Sequence, residues 1–198
     1  MRAATLVLAS GSTARLHILR GAGIDPEVVV SGANESGADH LPTADLVAVL
    51  AMRKAVAVAQ LRPDALVLGC DSMLDLDGSA FGKPATAHEV IELWRQLAGR
   101  TGTLYTGHWL IDGATGRHVS GVAATAIRFG TPSVAEIAAY AATSEPLSLA
   151  GAFSIDGLAA AFVDGVDGDP SNVIGLSLPL LRQLLAKLGI AITDLWRD

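Results

Sequence analysis

Four groups of polar residues interrupt otherwise apolar or glycine-rich stretches, and each is of a type that could bind a phosphate anion or handle a proton. Ser10-Gly11-Ser12-Thr13-Ala14-Arg15 is a hydroxyl-rich turn at the start of an expected helix. There, free backbone N–H groups and the helix dipole favour an anion, and Arg15 can add a charge-assisted, bidentate contact. Plain helix capping by Ser10 or Ser12 explains the same hydroxyls. Asp71 follows the apolar run Leu66-Val67-Leu68-Gly69-Cys70, and open α/β sheets carry ligand-binding and catalytic groups beyond the carboxyl ends of their strands. Such a carboxylate can act as a base or metal ligand, or merely form a turn. Lys54 lies on an apolar helical stripe, where a lysine can also snorkel to water. Lys83, between Gly82 and Pro84, is held on a restricted loop, which suits either a phosphate cation or a surface turn. Glu35, in a polar loop, joins these as a second carboxylate for Mg²⁺ or Mn²⁺, ions that take oxygen ligands together with substrate phosphates.

The scarcity of lysine sharpens this choice. Of the 14 basic residues only Lys54, Lys83 and Lys187 are lysines. Lys187 has an explanation in the last turn of a C-terminal helix, where a cation meets the negative end of the dipole; the other two need their own. Competing chemistries are poorly served. Gly175-Leu176-Ser177-Leu178-Pro179 lacks the second glycine of a nucleophile elbow, and Ser177 is a natural helix cap. His17, His40, His88, His108 and His118 show no zinc-ligand spacing and are expected to be exposed or capping. Cys70, the sole cysteine, cannot close an internal disulfide and is expected to be a small buried hydrophobe at a strand end. Trp94 is expected in the core.

The elements that must hold these residues can be outlined from periodicity and caps. Strands are expected over Ala4–Ala9, Glu27–Ser31, Ala65–Cys70, Leu104–Ile111, Val119–Phe129 and Ala159–Val163, with a hairpin at Asp77-Gly78. Helices are expected over Thr13–Ala22 and from about Asp45 to Leu61, the latter burying Leu46, Leu50, Ala57 and Leu61. Three more follow the caps Thr86 with Glu89, Ser133 with Glu136, and Ser177 with Pro179. This mixed order predicts an α/β fold with a mixed sheet.

Residues 1–198 suit a single domain, in which roughly 70% of the unfolded chain's surface can be buried. A hydrophobic content of 51% against 17% charged residues excludes disorder. A net charge of −6 argues against a nucleic-acid polymer as partner, because that binding needs a basic stripe. No run reaches the roughly 18 apolar residues of a membrane span, and a cytoplasmic location is the default expectation.

With these residues in view, the chain resembles the Maf family along nearly its whole length. Leu6-Val7-Leu8-Ala9-Ser10-Gly11-Ser12 with Arg15 is similar to the family's opening, although Thr13-Ala14 replace a proline and a first arginine. Asn34-Glu35, Lys54-Ala55 and Gly69-Cys70-Asp71-Ser72 resemble its Asp-Glu, Lys-Ala and Gly-Ala-Asp-Thr blocks. Gly82-Lys83-Pro84, Tyr105-Thr106-Gly107, Glu145-Pro146-Leu147, Ala150-Gly151-Ala152-Phe153 and Asn172-Val173-Ile174-Gly175-Leu176 follow in order.

The resemblance implies an elongated α/β fold with a cleft between two lobes, akin to inosine triphosphate pyrophosphatases, and often a homodimer. It implies metal-dependent hydrolysis of nucleoside triphosphates between the α and β phosphates. Asp71 would be the proton acceptor and Glu35 with Asp71 the metal ligands. Ser10, Ser12, Arg15, Lys54, Ser72 and Lys83 would contact substrate. Asp156 falls where the family carries glutamine or glutamate. As an acceptor-only carboxylate it would favour guanine or cytosine triphosphates over UTP or dTTP, unless it simply forms a turn with Gly157. A nucleotide-binding regulator of cell division, with affinity but no turnover, is the alternative.

Overall fold

In the computed structural model, residues 5–197 are described. The first strand, β1 (Leu6–Leu8), lies inside the span expected to begin at Ala4, which itself is outside the described residues. Then come α1 (Thr13–Gly21), β2 (Glu27–Val28), α2 (Thr43–Ala59), β3 (Leu66–Leu76), β4 (Ser79–Phe81), α3 (Ala87–Leu97), β5 (Thr101–Asp112) and β6 (Arg117–Phe129). The chain continues through α4 (Val134–Ala141), three short 3-10 turns, β7 (Val163–Asp167), α5 (Pro170–Ile174) and α6 (Leu178–Leu188). The expected caps are present: Thr86 accepts from the Glu89 N–H, Ser133 forms a capping box with Glu136, and Ser177 accepts from the Leu180 N–H. Asp77 and Gly78 both have positive φ, 53° and 83°, as a tight Asp-Gly hairpin requires.

The strands form one seven-stranded mixed sheet in the order β2-β1-β3-β5-β6-β7, with β4 beside β3. Among the described residues only the β2–β1 and β1–β3 pairings are parallel. Along one edge β5 pairs with β3 continuously from Leu66 to Asp75. The opposite edge is divided, because β1 covers Leu66–Leu68 and β4 covers Leu74–Leu76. Between them Asp71, Ser72 and Met73 lie on an uncovered stretch of strand.

The core divides at the same place. Leu66, Leu68 and Cys70 pack with α1 and α6 through Leu19, Leu181, Leu184 and Leu185. Leu74 and Leu76 pack with α3 and α4 around the buried Trp94, which meets Phe129, Tyr140 and Phe162 edge-on. Helix α2 covers the other face, with Ala55 and Val58 against Val7 and Val67.

Several expectations are corrected. β3 does not end at Asp71 but runs on to Leu76, because β5 supplies backbone partners past that point. Asp71 and Cys70 are therefore within a strand. Ala159–Val163 is largely a 3-10 turn (Leu158–Phe162), and the strand begins at Val163, where pairing with Phe129 becomes available. β2 stops at Val28, and α2 ends at Ala59, leaving Leu61 exposed. His108 is buried, unlike the other four histidines. The short helix α5 carries no apolar period that its sequence could announce.

Candidate functional site

Asp71 and Ser72 are consecutive residues of β3, so strand alternation sends their side chains to opposite faces. Asp71 shares the face of Val67 and Gly69, under α2; Ser72 shares the face of Cys70, toward α1. Two glycines let α2 approach closely enough to matter. A Cβ on Gly69 would stand 2.3 Å from the Ala51 carbonyl oxygen, and one on Gly107 would stand 2.2 Å from that of Val47. Gly107 is also the β5 partner of Asp71. With the helix backbone pressed onto the sheet there, the Lys54 stem reaches the strand carboxylate.

Lys54 Nζ pairs with Asp71 Oδ1 and, at 2.8 Å, with Glu35 Oε1. The side chains of Lys54 and Asp71 retain 12% and 8% of their exposure and that of Glu35 retains 56%, so the ammonium joins a buried carboxylate to a solvated one. Asp71 Oδ2 is buried and has no hydrogen-bond partner among the described residues, a costly condition for a carboxylate oxygen unless a ligand completes it. Glu35 is placed from α2 as well. Arg53 Nη1 donates to the carbonyls of Asn34 and Ser36, at 3.1 and 2.8 Å, on both sides of it.

On the other face Arg15 is buried and clasps three elements. Its Nε donates to the Gly175 carbonyl at 2.8 Å, Nη1 to Ser10 Oγ at 3.0 Å and Nη2 to Ser72 Oγ at 3.0 Å. Ser72 also shares a hydrogen bond of 2.9 Å with Thr106. Ser10 accepts from the Ser12 N–H and Ser12 caps α1 by accepting from the Arg15 N–H, so capping and clustering coexist. Arg15 is thus first a clasp, with its remaining N–H bonds available to a ligand.

These side chains line one cleft of about 690 Å³. Ser10, Ser12, Arg15, Glu35, Lys54, Asp71, Ser72 and Lys83 are all in its wall, Lys83 exposed at the Gly82 turn. A more apolar part is formed by Met73, Leu104, Leu149, Phe153 and Val173. Asp156 is not in the wall. It is exposed, its carboxylate accepts from Ser154 Oγ, and its N–H donates to the same hydroxyl, which makes it a turn residue. Glu145 accepts from the Leu158 N–H at 2.9 Å, just after this turn.

Beside the cleft, His108 is a fixed neutral imidazole. Its Nε2 accepts from the Ser177 N–H at 2.9 Å, so Nδ1 carries the proton and donates to the Thr106 carbonyl at 3.1 Å. Burial lowers its pKa to about 4, because charging it there would sacrifice solvation. Burial likewise pushes the Cys70 thiol up to about 12, which removes it from thiolate chemistry. Arg53, Thr106, His108 and the Gly175 carbonyl escaped the sequence reading. Thr106 and Gly175 do fall in motif blocks, but a backbone carbonyl's target or a buried imidazole's partner leaves no local pattern.

The donor set fits a divalent cation of a particular kind. Among the described residues no three His, Cys, Asp or Glu side chains converge as a metal cage. Two carboxylates, one with an unpartnered buried oxygen, suit Mg²⁺ or Mn²⁺, which complete their shells with water and substrate phosphates.

Comparison with known proteins agrees with this architecture. A protein of Streptomyces coelicolor named nucleoside triphosphate pyrophosphatase is 58% identical over 194 residues, spanning 96% of this chain and 94% of its own length. Proteins of the same name from Mycobacterium sp. (strain JLS) and Salinispora tropica are each 50% identical across 96% of this chain, covering 97% and 87% of their own lengths. The family model described as Maf-like protein matches residues 5–188, and the chain belongs to the Maf-like family.

Proposed function

We propose that this chain hydrolyses nucleoside triphosphates to the monophosphate and pyrophosphate, with Asp71 as the proton acceptor. The observation that carries the reading is the buried, unpartnered Oδ2 of Asp71 in the wall of a cleft that also presents Lys54, Lys83 and Arg15. The names of relatives at 50–58% identity point the same way. A cleft of about 690 Å³ accommodates a nucleotide, and its more apolar wall of Leu149, Phe153 and Val173 suits a base.

A water near Asp71 attacks the α-phosphorus, its proton passes to Oδ2, and the bond from that phosphorus to the bridging oxygen breaks. Pyrophosphate leaves with the electron pair. Lys83 and Lys54 stabilise the charge gathering on it, and preorganised cations of this kind dominate phosphoryl chemistry. Arg15, locked to Ser10, Ser72 and Gly175, holds the two loop walls in register and offers its remaining donors to the phosphates. Glu35 and Asp71 would hold a divalent cation, Mg²⁺ or Mn²⁺, which when bound supplies charge neutralisation and water activation. Asp156 is not part of this site.

Pyrophosphate release measured across ordinary and modified nucleoside triphosphates tests the reading. Wild type is expected to turn over at least one of them, and Asp71→Asn to lose about 10²–10⁴-fold in kcat while keeping the wild-type thermal transition. Binding without pyrophosphate release by the wild type would leave only a nucleotide-binding protein.

A further inference from the structure

Lys54 holds an unusual position for a substrate-binding cation. Its ammonium lies between Asp71 Oδ1 and Glu35 Oε1, the two carboxylates that fit a divalent ion, and is largely shielded from solvent. An ammonium seated between the two carboxylates and a divalent ion held by both would compete for the same space and repel each other. We propose that Lys54 is a resident counter-ion that occupies the carboxylate pair until a triphosphate arrives, so that metal binding requires the ammonium to move from the carboxylates to the phosphates. This deepens the reading of the cleft as a triphosphate site and rests on it.

Charge makes the order intelligible. Lys54 with Asp71 and Glu35 sums to −1, and adding a divalent ion without nucleotide brings this to +1 in a partly buried site that also contains the buried guanidinium of Arg15. Taking up uncompensated charge in such surroundings is unfavourable. A triphosphate supplies the missing negative charge and a new set of oxygens for Nζ. Lysine suits this exchange, being a compact charge on a flexible four-carbon stem, whereas Glu35 stays in place because Arg53 holds the backbone on both sides of it. Departure of Nζ frees Asp71 Oδ1 and Glu35 Oε1 for the incoming ion. Metal and nucleotide then help each other bind, and that coupling is reciprocal.

The test is Mn²⁺ binding, read from the free-ion paramagnetic resonance signal and by calorimetry at pH 8. Wild type, Lys54→Met, Lys54→Gln and Lys54→Arg are compared with and without α,β-methylene-ATP, whose α–β linkage resists hydrolysis. The wild type is expected to bind Mn²⁺ alone weakly and at least about tenfold more tightly with the analogue. Removing the ammonium should tighten binding of Mn²⁺ alone by about tenfold and shrink the analogue's effect in whichever neutral variant keeps a cooperative thermal transition. Lys54→Arg should restore the wild-type pattern. Neutral variants that are folded yet bind Mn²⁺ alone no better than wild type overturn the proposal. The readout involves no turnover, so absence of pyrophosphate release from wild type, with tighter Mn²⁺ binding in the neutral variants, would sink the hydrolase reading and leave the exchange standing.

Discussion

Among the cations of this protein, position separates those that can act on a phosphate from those that cannot. Lys83 is exposed in the cleft wall, whereas Lys187 lies in the last turn of α6, where its own backbone carbonyl accepts from Arg117. Lys83→Ala is therefore expected to lower kcat/KM by about ten- to a hundredfold and Lys187→Ala to change it less than about twofold, in parallel pyrophosphate-release assays. Equal, small effects would return Lys83 to an ordinary surface turn. Asp156 teaches the opposite lesson. Its sequence position invites a base-reading role, but its carboxylate is bonded to Ser154 outside the cleft wall. Asp156→Gln should leave the ranking of GTP, CTP, UTP and dTTP unchanged; a reordered ranking would restore the base-reading role.

At the scale of elements, the site depends on how closely α2 lies on β3 and β5. Gly107 offers a test because it has no Cβ, and one added there would stand 2.2 Å from the Val47 carbonyl oxygen. Gly107→Ala must push the helix outward, at a cost of about 1–3 kcal/mol typical of overpacking, and it moves Lys54 away from Asp71 as it does so. The expected result is a lower urea midpoint together with loss of turnover under conditions where the variant is still folded. Gly21→Ala, whose added methyl meets nothing within 4 Å, should leave both unchanged or slightly improved. A Gly107→Ala variant with wild-type stability would show that the helix is not held by that contact. The capped helices α3, α4 and α6 were legible in sequence because a cap is a local hydrogen-bond device. The true length of β3 was not, since Asp71 to Asp75 owe their strand conformation to partners on β5 about 30 residues later.

At the scale of the whole molecule, the buried imidazole of His108 ties β5 to the start of α6 through the Thr106 carbonyl and the Ser177 N–H. Its folded-state pKa is about 4 against an ordinary 6.5, so between those values the unfolded chain binds more protons than the folded one. The associated stability is complete above pH 6.5 and is lost as pH falls toward 4, with a limit of about 3 kcal/mol. Urea unfolding at pH 7.5 and 4.5 should show a steeper acid loss in wild type than in His108→Gln; equal slopes would mean that the imidazole is not held neutral by the fold. By itself, the sequence determined what depends on neighbours in the chain: the α/β class, the helix caps, the Asp-Gly hairpin, and a set of acids, hydroxyls and lysines resembling one family. Tertiary structure alone decided what those residues meet. The gap between β1 and β4, the ammonium shared by Asp71 and Glu35, the clasp of Arg15 and the withdrawal of Asp156 each join residues far apart in the chain or select among rotamers. The physical reason is that caps and turns are closed by hydrogen bonds spanning a few residues, whereas a cleft is defined by where packed elements fail to cover one another.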